Sequence, residues 1–213
     1  MKIRNYDKVL NNAEKFAEDS NSNKVFFHSL KILIPNKKNY LRKLVFVIIE
    51  VLIAYSMAKR YNTIELTEDV IQVVIVVVLA LLAIVFTGYA FFQALINDEL
   101  LVSMIEVGGN GNNKLYETNG YFAEVMIFQI CCILLDLLAI VCMIALPEYW
   151  MLFRDNMKNE LLASIIISFV LYCNVESIWE MKSFIYNVFQ LFNLHAYSRV
   201  VEIKKKKHNN QSK

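Results

Sequence analysis

The sequence predicts an all-α integral membrane protein, a four-helix bundle with cytosolic amphipathic N-terminal helices and long cytosolic helical extensions of spans 2 and 4. Three observations carry this prediction. Residues of the AVILMFWYC set make up 57% of the chain, above the proportion usual in a soluble domain. They come in long blocks, the pattern of segments solvated by hydrocarbon. Only 5 Gly and 2 Pro interrupt the 213 residues, which excludes collagen-like, linker-rich and Pro-rich disordered classes.

Each span is justified by its length and flanks. A helix rises 1.5 Å per residue, so crossing takes about 20 mostly apolar residues. The first block, Leu44 to Ala58, lies between Arg42-Lys43 and Lys59-Arg60 and is short if cut at those charges. Lys and Arg side chains snorkel, and Tyr40, Tyr55 and Tyr61 suit an interface, which places span 1 at about 41–60. Span 2 covers 70–96. Span 3 covers 123–146 and stops at Pro147. Span 4 covers 160–179 and stays free of charge from Leu161 to Glu176. The membrane domain is then 41–186, with a basic amphipathic region 1–40 before it and an amphipathic helix and basic tail 187–213 after it.

Orientation follows from Lys and Arg in the flanks. Segment 1–43 carries ten of them and the tail after Tyr186 six. Both ends therefore belong in the cytoplasm, which demands an even number of spans. No cleavable signal is expected, because the first apolar block begins about 40 residues in, without a small-residue cleavage pattern. Lys outnumbers Arg and Asn is abundant, as an AT-rich gene produces. The expected location is a bacterial inner membrane.

Outside the spans, helical spacing continues. Tyr6, Val9, Leu10, Ala13, Phe16 and Ala17 form one apolar stripe, and Val25, Phe26, Leu30, Leu33 and Ile34 a second, ended by Pro35. These suit helices lying on the membrane surface or a platform for a partner. Leu100, Leu101, Met104 and Ile105 keep the period of span 2 past Asn97-Asp98-Glu99, so that helix is expected to project before the cluster Gly108-Gly109-Asn110-Gly111. That cluster lacks phosphate-loop spacing and is taken as a link. From Glu180 to Val201 there is neither Gly nor Pro, so a helix continuous from Leu161 would reach about 60 Å.

Several ionisable groups fall inside apolar blocks. Glu50 sits near the middle of span 1 and Asp136 near the middle of span 3; Asn174, Glu176 and Glu180 lie toward the inner end of span 4. A carboxylate at mid-bilayer costs about 2.5–3.5 kcal/mol on insertion scales, so it faces the bundle interior, takes a proton or finds a partner. No Lys, Arg or His occurs within the uncharged cores. These residues are an interhelical polar site or an ion path; a divalent-metal site is the remaining alternative. In span 2, Ala80, Ala83, Thr87, Ala90 and Ala94 recur at steps of three and four as a helix-packing face, within a protomer or in a homo-oligomer. Lys204, Lys205, Lys206 and Lys207 form a basic tail that contacts anionic lipid or a partner, whereas nucleic acid is disfavoured beside a membrane.

No nucleophile elbow, kinase set, P-loop, HExxH or dinucleotide motif is present, and His28, His195 and His208 are scattered. No metal or cofactor is expected. The four cysteines, Cys131, Cys132, Cys142 and Cys173, fall inside spans and read as small apolar residues. The expectation is a non-enzymatic four-span protein that anchors, senses or acts as the effector of a complex with a cytosolic partner. Bacterial anti-phage defence is the expected setting, on architecture alone. The alternatives are a partner-independent ion-conducting or permeabilising protein that uses its intramembrane carboxylates, and an integral lipid-modifying enzyme.

Overall fold

The computed structural model describes residues 21–106, 114–147 and 150–211, and the only regular structure among them is helical. In order these are α1 (Ser22–Ser29), a 3-10 turn (Leu30–Leu33), α2 (Tyr40–Ala58), α3 (Thr63–Leu95), α4 (Asp98–Glu106), α5 (Lys114–Ala145) and α6 (Asn156–Gln211). The stripe from Tyr6 to Ala17 and the glycine cluster lie outside the described residues.

Three helices, α3, α5 and α6, are long and apolar enough to cross a membrane. α2 is the fourth long apolar element; its 19 residues carry Arg42, Lys43 and Glu50. It packs lengthwise on α6 in antiparallel sense. Phe46 meets Trp179 with ring centroids 5.2 Å apart, and further along Ala54 and Met57 pack with Ile167.

The other pairs run the same way. Gln93 Nε2 donates to Asn119 Oδ1 at 3.2 Å, and Tyr89 and Phe92 lie 5.5 and 5.7 Å from Phe122. These contacts make α3 and α5 an antiparallel hairpin. Phe122 meets Phe184 at 5.7 Å and Asn174 reaches Asp136, which sets α6 antiparallel to α5. The order is thus up-down-up-down, and the start of α2 shares one end of the bundle with the C-terminal part of α6. We call it the Arg42 end, and the opposite one the Arg60 end.

At the Arg42 end a core of Val85, Phe92, Phe122, Val125, Met181 and Phe184 continues into Leu100, Met104, Ile105, Leu115 and Leu191. Gly88 makes this fit: a Cβ there would stand 2.5 Å from Phe184 Cζ.

Two features differ from the sequence expectation. Span 2 does not extend as one helix, because α3 ends at Leu95, Ile96 is extended (ψ 111°), and α4 begins anew. The cause is local. Asn97 accepts the Leu100 N–H on its Oδ1 at 2.9 Å, an N-cap bond that starts a second helix. The extra turns then fold back on α5 and α6. Secondly, the 3-10 turn that follows α1, with Leu33 of the second stripe, enters the bundle, while Phe26 and Ile34 of that stripe stay exposed. Ile32 and Leu33 pack against the Val78, Phe128, Cys132 and Cys173 core, and α1 lies on α5 with His28 Nδ1 2.5 Å from Glu124 Oε1.

α6 is a single helix of 56 residues, about 84 Å at the usual rise. Its buried side passes through Ser164, Ile167, Asn174, Ser177, Met181, Phe184 and Leu191. Its other side exposes Ile185, Phe189, Phe192, Val200 and Ile203 beyond the aromatic core.

Candidate functional site: a buried charge layer

The site arises from spacing on three helices. Arg42, Phe46 and Glu50 stand four residues apart on α2 and so share the face turned to α6. On α5, Gln129, Cys132 and Asp136 recur at three and four; on α6, Val170, Asn174, Ser177 and Met181 do the same. Their meeting line runs down the interior from the Arg42 end.

Its outermost element is an ion-pair cluster. Glu176 Oε2 accepts from Arg42 Nη2 at 3.0 Å and stands 3.2 Å from Lys43 Nζ. Lys43 also donates to the Ile32 carbonyl. The Arg42 guanidinium lies 4.8 Å over the Trp179 ring and 5.6 Å over Phe46, contacts that replace lost water with aromatic faces. Nearby, Tyr172 donates to the Leu33 carbonyl at 2.7 Å, tying the inserted N-terminal segment to the same place. Tyr121 donates to Glu180 Oε1 at 3.1 Å.

Deeper lie the groups without ionic partners. Asn174 Nδ2 donates to Asp136 Oδ1 at 2.8 Å and to the Val170 carbonyl at 2.9 Å. Glu50 is 4% exposed and Asp136 fully buried. Glu50 lies within electrostatic reach of Glu176 and of Cys173. Both Glu50 oxygens lack a hydrogen-bond partner, as do one oxygen each of Asp136, Asn174, Glu176 and Gln129 and the Ser177 hydroxyl. Arg42 keeps two unused nitrogens, Nε and Nη1. The layer thus holds two cations, both on Glu176, and three carboxylates, and its unused acceptors outnumber its unused donors. Such a layer is suited to gaining positive charge or polar hydrogens, by protonation, by water or by a passing cation.

Among the described residues, no group of three or more His, Cys, Asp or Glu side chains converges to hold a metal ion. All four cysteines are free thiols; Cys132 Sγ contacts the Cys173 carbonyl at 3.5 Å.

The residues singled out from the sequence therefore divide. Glu50, Asp136, Asn174 and Glu176 come together in the layer, and Glu180 sits beside it through Tyr121. Ala80, Ala83, Thr87, Ala90 and Ala94 are all exposed, with Thr87 Oγ1 spent on the Ala83 carbonyl at 2.8 Å and Ala83 bordering a groove shared with Ala123 and Met126 of α5. The buried side of α3 is instead Thr67, Ile71, Ile75, Val78, Val85 and Phe92. Lys204 is exposed near the end of α6; the side chains of Lys205, Lys206 and Lys207 lie outside the described ones. Arg42 and Lys43 were not anticipated as partners of Glu176, although the four-residue step from Arg42 to Glu50 signals their common face. Comparison with protein-family models, with curated proteins and with solved structures finds no match to this chain.

Proposed function

We propose that this chain is a non-enzymatic four-span protein of a bacterial inner membrane, multi-pass with both termini cytoplasmic. It acts as the anchor, sensor or effector component of a complex with a cytosolic protein, in anti-phage defence. The observation that carries the reading is α6. One uninterrupted helix bears Asn174 and Glu176 in the buried layer and, further on, an exposed apolar side at Phe189, Phe192, Val200 and Ile203. In the cytosol that side calls for a protein cover. A partner gripping it moves a rod whose other half holds Glu176 against Arg42 and Lys43. With α2 as span 1, the strong packing of α2 on α6 makes their interface the element that shifts.

Co-purification from cells expressing the chain beside its genomic neighbour tests this. A cytosolic protein retained by the full chain and lost on deletion of residues 187–213 supports it. Retention unaffected by that deletion contradicts it.

A second reading is favoured by Glu50, whose carboxylate has no bonded partner. Here the bundle itself passes cations or protons, with Glu50 and Asp136 in the path and no partner required. Flux from liposomes holding the purified chain that drops with Glu50→Gln and Asp136→Asn supports it. Flux indifferent to both changes removes the acids from any path. The two readings join if separation of α6 from α2 opens the layer to water.

A further inference from the structure

The Arg60 end holds a cavity of about 440 Å³ that the charge layer does not use. Ion pairing and aromatic packing close the bundle at the Arg42 end. At the other, residues of the α2–α3 turn and of α3, α5 and α6 line a cleft. Its walls are apolar: Ile64 from α3, Met143 and Leu146 from α5, and Ala163, Ile166 and Ile167 from α6. Trp150 and Met151 flank it. Thr67, a buried polar residue of the wall, has donated its hydroxyl to the Thr63 carbonyl at 2.6 Å, so it asks nothing of a guest. Size and lining match those of small-molecule pockets.

The mouth differs in character from the walls. Lys59, Arg60 and Glu160 line the cavity together with Asn156 and Asn159. Lys59 stands 4.5 Å over the Tyr55 ring and feels the Glu160 carboxylate. No carboxylate among the described residues bonds Arg60, so its planar guanidinium can take a phosphate or carboxylate bidentately. Cation outweighs anion at the rim, and hydrocarbon-like walls lie behind it.

We infer that this cavity binds an anionic acyl amphiphile, with its chain between α3, α5 and α6 and its headgroup at Arg60 and Lys59. The two sources of that chemistry are a phospholipid of the bilayer and a free fatty acid. The inference needs neither a cytosolic partner nor ion flow, so it stands or falls separately from the proposed function.

Native mass spectrometry of the full chain, stripped of lipid in detergent, tests it with three added probes: phosphatidylglycerol, phosphatidylcholine and oleate. The expected result is retention of phosphatidylglycerol over phosphatidylcholine, weakened about tenfold by Arg60→Gln, the loss of one charge-assisted contact. Retention is also lost in Ala163→Phe, which fills the cleft. Arg60→Gln sits on an exposed turn and serves as the test should Ala163→Phe fail to fold. Oleate retained in place of phosphatidylglycerol, with the same response to Arg60→Gln, supports the site and identifies the free acid as its source. Equal retention of all three probes, insensitive to Arg60→Gln, overturns the inference.

Discussion

Replacing Glu176 by Gln tests the layer where its charges are most tightly coupled. The carboxylate is 2% exposed and holds Arg42 at 3.0 Å and Lys43 at 3.2 Å. Gln keeps the shape and removes the charge, leaving two buried or half-buried cations facing a neutral amide. Breaking a buried pair in this way costs about 3–5 kcal/mol. Two compensations lower that figure. Arg42 retains its stacking on Trp179 and Phe46, and Lys43 retains the Ile32 carbonyl. We expect a net loss of about 2–3 kcal/mol, with the rest recovered by those contacts and by snorkelling of Arg42. Equilibrium unfolding in mixed micelles measures it. Lys43→Met is the second arm of a double-mutant cycle: combined with Glu176→Gln it removes one stranded cation, so the double variant loses at least about 1 kcal/mol less than the sum of the singles. A loss under about 0.5 kcal/mol for Glu176→Gln, or strict additivity, refutes the ion-pair cluster as an element of the fold.

Other changes have signs set by their surroundings. Glu50→Gln replaces an unpartnered buried carboxylate by a neutral amide able to donate to the unused Glu176 oxygen, so stability rises by about 1 kcal/mol in the same unfolding assay. Gly88→Ala places a Cβ against Phe184, itself wedged on Phe122, and lowers stability by about 1–3 kcal/mol. Tyr121→Phe removes the 3.1 Å hydrogen bond to Glu180 and costs about 1 kcal/mol in the same assay. Asn97→Ala removes the cap of α4 and costs about 1 kcal/mol, with faster amide exchange expected across Asp98–Glu106.

What could be read from residues alone was governed by local rules. Helical type, the long apolar helices α3, α5 and α6, and the continuity of α6 past Glu180 all follow from hydrophobic blocks and an absence of Gly and Pro. The break at Ile96 was legible too, since Asn97 followed by Asp98 is a helix start, but the apolar period through Leu100 and Met104 spoke louder. Azimuth was not legible. A stripe of small residues at helical spacing says that Ala83 and Ala90 share a side of α3, not which way that side turns. The larger Val85 and Phe92 took the interior, with Gly88 beside them making room for Phe184. Arg42 and Lys43 served as boundary markers of a span, yet long side chains at a boundary fold inward when a carboxylate 134 residues away waits there. That contact depends on the antiparallel packing of α2 on α6, a tertiary fact with no local signature. The same holds for Leu33, whose stripe fits a lipid surface and a protein groove equally well, and for its neighbour Ile32, which that stripe does not include.

The central proposal is that the bundle crosses the bilayer four times, with α2 joining the three long apolar helices and the Arg42 end inside. Labelling of single introduced cysteines by a membrane-impermeant maleimide in intact spheroplasts addresses it directly, at Ser22, Tyr61, Met151 and Lys204. The account predicts labelling at Tyr61 and Met151 in intact spheroplasts, and at Ser22 and Lys204 only after lysis. Labelling of Ser22 together with silence at Tyr61 would mean that α2 does not cross as described, and would contradict the account.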